Sequence, residues 1–157
     1  PSPALVTREV GGDGEEATEE AIRGIYDSLR ATSLAMSEKT VLPGGGASHS
    51  MIAHHVRTEM ESEPGRERIA MESFARAMET IPAVLAENSG QNPLDKVLKL
   101  RSEARNGNCM GIDRDGKITS PEGVWHPKSV ISGSLETATE TAISMLRIDQ
   151  VVSARGD

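Results

Sequence analysis

Residues 41 to 51, VLPGGGASHSM, place three successive glycines between an apolar lead-in and the apparent start of a helix. A glycine in regular structure costs about 0.5–1 kcal/mol relative to alanine, so a triplet outside a flexible linker marks backbone that must turn tightly or be approached closely. The residues allow two readings. The plain one is a helix-to-helix loop. The sharper one is a ligand seat, with the amides of Gly44, Gly45 and Gly46 facing outward and the next helix presenting its positive end to an anion. GGG is not a complete phosphate fingerprint, so spacing leaves both readings open.

The 157 residues of the chain suit one domain, or one compact piece of a larger subunit, with a core of real size. Only Tyr26, Phe74 and Trp125 are aromatic, so that core must be built from Leu, Ile, Val, Met and Ala. A formal charge of -7 supplies no basic field to neutralise phosphates, and no nucleic acid is expected as a partner. No run reaches the roughly 18 apolar residues of a membrane helix, so no membrane is expected either. A cytoplasmic location fits. Cys109, the single cysteine, excludes an internal disulfide and, at a strand start without a partner base, reads as a buried and inert thiol. The opening PSPALV, without an initiator Met or a signal-like region, reads as a cut end.

Hydrophobic spacing predicts a short strand over 4–10 and a turn at Gly11-Gly12-Asp13-Gly14. A helix over 15–37 follows, with Glu15, Glu16, Glu19 and Glu20 at its favoured acidic start. A second helix is predicted from Ala47 to about Ser62. The third carries an apolar stripe of Phe74, Ala77, Met78, Ile81 and Leu85 and is expected to kink at Pro82. A fourth starts with Asn92 as N-cap, Pro93 at N1 and Asp95 at N3, and continues through Leu94, Val97, Leu98 and Arg101 to about Asn106. CMGIDRDGKIT reads as a hairpin turning at Arg114-Asp115-Gly116. Pro127 opens a last helix with Ile131, Leu135, Ala138, Ala142 and Met145/Leu146 on one face, and RIDQVVSA reads as a terminal strand. The fold class is mainly α with small β additions.

Few side chains announce chemistry. His54-His55 with Glu59 offers an imidazole and a carboxylate one turn apart, but no third ligand stands nearby at helical spacing, so these residues read as an exposed helix face. His49 and His126 are isolated and read as surface residues. GGDGEE is rejected as a phosphate loop, because Glu15 and Glu16 stand where phosphate charge would sit. Asp27, with Arg23 and Arg30 one turn away on either side, reads as part of a surface pair.

Taken together, VLPGGGA, GRERIAMESFARAMETIPAVLAENSGQNPLD, GID, GVWHPKSV and LRIDQVV resemble the carboxy-terminal part of group II chaperonin subunits, the archaeal thermosome and its eukaryotic cytosolic relatives. The family order is a GGGA element, a helix ending in IP…LAEN-G-(D/N)P, a G-(V/I)-D element, a GV-(acid)-P element and a closing LRIDD. The likeness covers nearly the whole chain and is strongest over 41–152. It implies a chaperonin equatorial-domain-like helical bundle with a small hairpin and terminal strand, over 41–157. Residues 1–40 would form a strand-helix piece of the intermediate domain.

The resemblance also implies a site. ATP, with magnesium, would lie against Gly44, Gly45 and Gly46, where side chains would collide with it, and Gly111, Ile112 and Asp113 match positions lining base and ribose. Asp27 falls seventeen residues before Gly44, where the family keeps the carboxylate that acts on the water attacking the γ-phosphate. The expected partners are other chaperonin subunits in a double ring and unfolded client proteins. The sequence departs from the family in four respects: no GDGTT phosphate loop with its magnesium-holding aspartate, no apical domain, no acid near Ile118 to Ser120, and His126 and Gln150 in place of acids. These departures weigh against full nucleotide affinity. The chain therefore reads as a fragment or truncated homologue of an ATP-hydrolysing subunit, expected to be inactive as an ATPase by itself; the alternatives are a non-catalytic scaffold or a helical interaction module derived from a chaperonin.

Overall fold

The computed structural model describes residues 7, 9–12 and 14–148. Five helices account for most of them: α1 (Glu15–Glu38), α2 (Ala47–Met60), α3 (Glu67–Asn88), α4 (Pro93–Arg105) and α5 (Lys128–Leu146). Four short strands, β1 (Val41–Pro43), β2 (Gly111–Ile112), β3 (Ile118–Thr119) and β4 (Trp125–Pro127), form two antiparallel pairs, β1 with β4 and β2 with β3. No helix among the described residues is long and apolar enough to cross a membrane.

The mainly α reading holds, with boundaries close to those predicted. Asn92 caps α4 as expected: its Oδ1 accepts from the amides of Leu94 and Asp95 at 2.9 and 3.2 Å, with Pro93 in the first turn. Asn92→Ala should therefore cost about 1 kcal/mol, read from the urea midpoint, because two amides lose their acceptor. The hairpin also forms as predicted, pairing Gly111 with Thr119 and Ile112 with Ile118, and Gly116 takes φ +76° in its turn. Most of the strand expected over 4–10 lies outside the described residues, and Thr7, Glu9 and Val10 carry no strand. Of the expected terminal strand, Arg147 closes α5, Ile148 is irregular and the rest lies outside the described residues.

The helix faces are where the sequence reading needs correction. On α3 the buried residues are Ala75, Met78, Glu79, Pro82 and Ala86, so the stripe is rotated and only Met78 of the expected set is buried. Ile81 and Leu85 face outward. Likewise α4 buries Val97, Leu100 and Ala104 and exposes Leu94 and Leu98. Small residues explain the rotation. Alanines at the contact let α2, α3 and α4 approach closely, and dispersion grows with the number of atoms brought to contact distance. One cluster joins Ala53 of α2 to Ala75 and Met78 of α3, with Leu135 of α5 against it; another joins Ala86, Leu100 and Ile112. Pro82 sits within the unbroken span of α3 and is fully buried.

The β1–β4 pair was not foreseen. It aligns Val41 with Pro127, Leu42 with His126 and Pro43 with Trp125, and its prolines fit a two-stranded ribbon, where each strand has a free edge. α1 packs against β4 and buries none of its own residues. Its C-terminal end is tied to α5: the Ser129 amide donates to Glu38 Oε2 at 3.0 Å, which holds the Glu38 carboxyl below the usual range and supplies α5 with an acceptor that Pro127 cannot. On α5 only Ile131 of the expected face is buried.

Candidate functional site

The glycine triplet is a crossing point. The Gly44 amide donates to the Val124 carbonyl at 2.8 Å, and the Gly45 carbonyl accepts from the Ile112 amide at 2.8 Å. Two segments far apart in sequence, 44–46 and 111–113, are thereby joined backbone to backbone. Gly45 and Gly46 lie in the left-handed region, at φ +61° and +76°, which favours glycine over any residue with a Cβ. A Cβ on Gly44 would stand 2.5 Å from Val124 Cγ1, one on Gly45 2.8 Å from the Ile112 carbonyl oxygen, and one on Gly46 2.8 Å from Pro82 Cβ. Gly111 is held just as closely, its would-be Cβ 2.9 Å from the Gly45 oxygen. The reason expected for the triplet is thus corrected. The space that side chains would enter is filled by the chain itself, and the Gly44 amide faces Val124 instead of pointing outward.

Beside the bend, the start of α2 is buried at Ala47 and Ser48, and the Ala47 amide donates to the Gly44 carbonyl at 3.0 Å. The N-cap of α2, Gly46, offers no side-chain acceptor, and no acid stands in the first turn. Ser48 and Ser50 do not fill the gap, since their hydroxyls donate to the carbonyls of Pro43 and Gly46. Two imidazoles border the bend. His126 Nε2 would lie 3.2 Å from a Gly44 Cβ, and His49, in the first turns of α2, has its pKa lowered by burial and then by His126. Both are half-buried, not the surface residues that their isolation in the sequence indicated.

Asp113 and Asp27 differ in how they are held. Asp113 Oδ1 accepts from the amides of Asp115 and Lys117 at 2.9 and 2.7 Å, an arrangement that stabilises the hairpin turn and leaves Oδ2 without a partner among the described residues. Asp27 is exposed on α1, roughly 17 Å back along the helix from Glu38 at 1.5 Å per residue. The ion pairs expected for it do not form: Arg23 pairs with Glu20 at 3.7 Å, and Arg30 donates to Tyr26 Oη at 3.0 Å. Gly44 to Gly46 and Gly111 to Asp113 are therefore brought together, whereas Asp27 has no hydrogen bond or ion pair to either set among the described residues. No three His, Cys, Asp or Glu side chains among those residues converge as metal ligands. Cys109 is half-buried, and burial pushes its thiol pKa up.

The sequence reading missed the best-connected polar side chain among the described residues. Glu79, on α3 and 6% exposed, accepts from Arg57 of α2 at 2.6 and 2.9 Å and from Arg101 of α4 at 2.7 and 2.5 Å. Arg57 also donates to Glu72 at 3.0 and 3.3 Å, and Arg76 bonds the same carboxylate. Burial is the largest single influence on Glu79 and raises its pKa, but the hydrogen bonds from Arg101 and Arg57 together outweigh it and hold the carboxyl below the usual range. The Arg57 pKa is correspondingly raised. A signal did exist, since Glu79 is in helical phase with Ala75, Pro82 and Ala86. That face was passed over because its side chains are small.

The sequence pattern of the TCP-1/cpn60 chaperonin family matches residues 1–156, and the chain belongs to that family. It is 38% identical over 157 residues to the thermosome subunit of Methanocaldococcus jannaschii, covering 97% of this chain and 29% of that one. It is 40% identical over 157 residues to the thermosome subunit of Methanopyrus kandleri, covering 98% and 29%. The open-state monomer of a group II chaperonin from Methanococcoides burtonii superposes with a TM-score of 0.73 at 28% identity, over 87% of this chain and 35% of that one. The chain thus spans less than a third of the length of these thermosome subunits.

Proposed function

We propose that the chain is part of an ATP-dependent chaperonin subunit that assists the folding of other proteins in a double-ring cage, in the cytoplasm. Residues 1–40 act as the intermediate-domain segment and 41–157 as the second half of the equatorial domain. One observation carries this reading: the Ile112 amide bonds the Gly45 carbonyl, which joins the triplet to the Gly111, Ile112 and Asp113 element next to the start of α2, where no side chain caps the helix. An uncapped helix start favours an anion such as a nucleotide phosphate. Magnesium belongs mainly to the GDGTT loop, which this sequence does not contain. Asp27 is the catalytic carboxylate of the reading, and it works only when α1 swings onto the nucleotide, which couples hydrolysis to closure.

Titration of the chain with ATP and magnesium should give weak binding, with amide NMR shifts concentrated at 44–48 and 111–113, and turnover at background. Asp27→Ala should leave that binding within about twofold, because the carboxylate acts on water and not on the bound phosphates. Robust turnover abolished by Asp27→Ala would show the phosphate loop to be dispensable, and ATP-induced shifts confined to other residues would sink the site. The scaffold reading has its own support in the Asp113 carboxylate, already engaged by its own hairpin. Ring particles in electron micrographs without any heat of ATP binding would favour it.

A further inference from the structure

A cavity of about 400 Å³ opens between α2, α3 and α4, and none of Asp27, Gly44 to Gly46 or Gly111 to Asp113 lines it. Its floor is apolar, formed by Pro82, Val97 and Leu100, and its walls and rim carry the guanidiniums of Arg57, Arg68, Arg101 and Arg105. That volume is within the range of small-molecule sites, about 300–1,000 Å³. Helical spacing explains the convergence: Arg101 and Arg105 lie one turn apart on α4, and His54 and Arg57 share a face of α2.

The charge does not balance. Four guanidiniums face only two carboxylates, Glu61 and Glu79, among the lining residues. Glu79 is consumed by Arg57 and Arg101, which it fixes in place, while Arg68 and Arg105 form no ion pair among the described residues. Arg101 spends its Nε and Nη2 on Glu79 and keeps Nη1 undirected. In a chain of net charge -7, the guanidiniums lining this cavity outnumber the lining carboxylates by two; Glu72, outside the lining, takes a further share of Arg57, and Arg68 and Arg105 stand over the apolar floor without an ion pair among the described residues.

We propose that this cavity is a binding site for a dianion bearing an apolar group, with Arg68, Arg105 and the free edge of Arg101 taking the charge and Pro82, Val97 and Leu100 taking the apolar part. Arginine suits the task, since its planar fork recognises carboxylate and phosphate oxygens in pairs. The site is separate from the proposed nucleotide surface and can fail or stand without it.

The test is a titration of the 157-residue chain with phenyl phosphate at constant ionic strength, followed by amide NMR. Saturable shifts should centre on His54, Arg57 and residues 100–105, and both phenol and inorganic phosphate should bind more weakly than the combined probe. R68Q/R105Q should weaken binding about tenfold, as expected for the loss of charge-assisted contacts. Neither guanidinium bonds another of the described residues, so the variant should keep its melting temperature. Absence of saturation at millimolar probe, shifts centred on 44–48, or equal binding by R68Q/R105Q would each overturn the proposal.

Discussion

Glu79→Leu is expected to lower the stability of the chain by about 3–5 kcal/mol, the cost of removing one partner from a buried ion cluster. The loss comes less from the missing contacts than from what stays behind. Arg101 would have no acceptor and Arg57 only Glu72, and Arg57, with its side chain 19% exposed, would be the more poorly hydrated of the two, against 35% for Arg101. The urea midpoint reads the effect. A triple variant, Arg57→Met with Glu79→Leu and Arg101→Met, should recover much of it, because no unpaired charge remains. If Glu79→Leu alone proved nearly neutral, the cluster would be ornamental.

The same cluster sets an acid limit. The folded Glu79 carboxyl titrates below its unfolded value of 4.5, so its contribution is complete above that pH and fades as pH falls through the folded value. Glu72 shifts in the same direction under Arg57 and adds to the slope. Urea midpoints of the parent chain should fall between pH 4.5 and more acid conditions, and Glu79→Leu should flatten that dependence.

Gly46→Ala is the second large effect, at about 3 kcal/mol: a left-handed backbone costs a residue with a Cβ roughly 1–2 kcal/mol, and the overpacking a further 1–3. The clash is specific, 2.8 Å to Pro82 Cβ, so it can be separated from the backbone cost. In a Pro82→Ala background Gly46→Ala should cost less by a kilocalorie or so, a coupling that a double-mutant cycle measures. Full additivity would mean that the proline does not press on the bend.

Local signals were legible where local chemistry decides the outcome. Asn92, Pro93 and Asp95 marked the start of α4 because a cap is made by neighbours in sequence. Arg114, Asp115 and Gly116 marked the hairpin turn for the same reason. The order of glycine, IP, GID and LRID elements identified the family without any coordinates. What could not be read was which face of each helix turns inward. The large apolar residues of α3 and α4 predict one stripe, and close packing chose another, in which Ala75, Ala86 and Ala104 lie at the contacts.

The sequence by itself determined the helices, the turns and the kinship, since each rests on a few adjacent residues or on their order along the chain. Tertiary structure alone decided why Gly44, Gly45 and Gly46 are glycine and which acid is buried. Both answers depend on partners distant in sequence: Val124, Ile112 and Pro82 fill the space around the bend, and Arg57 and Arg101 make Glu79 tolerable in the interior. Steric exclusion and desolvation act between neighbours in space, so the helical spacing of Glu79 with Ala75, Pro82 and Ala86 marks a shared face without telling whether that face is buried.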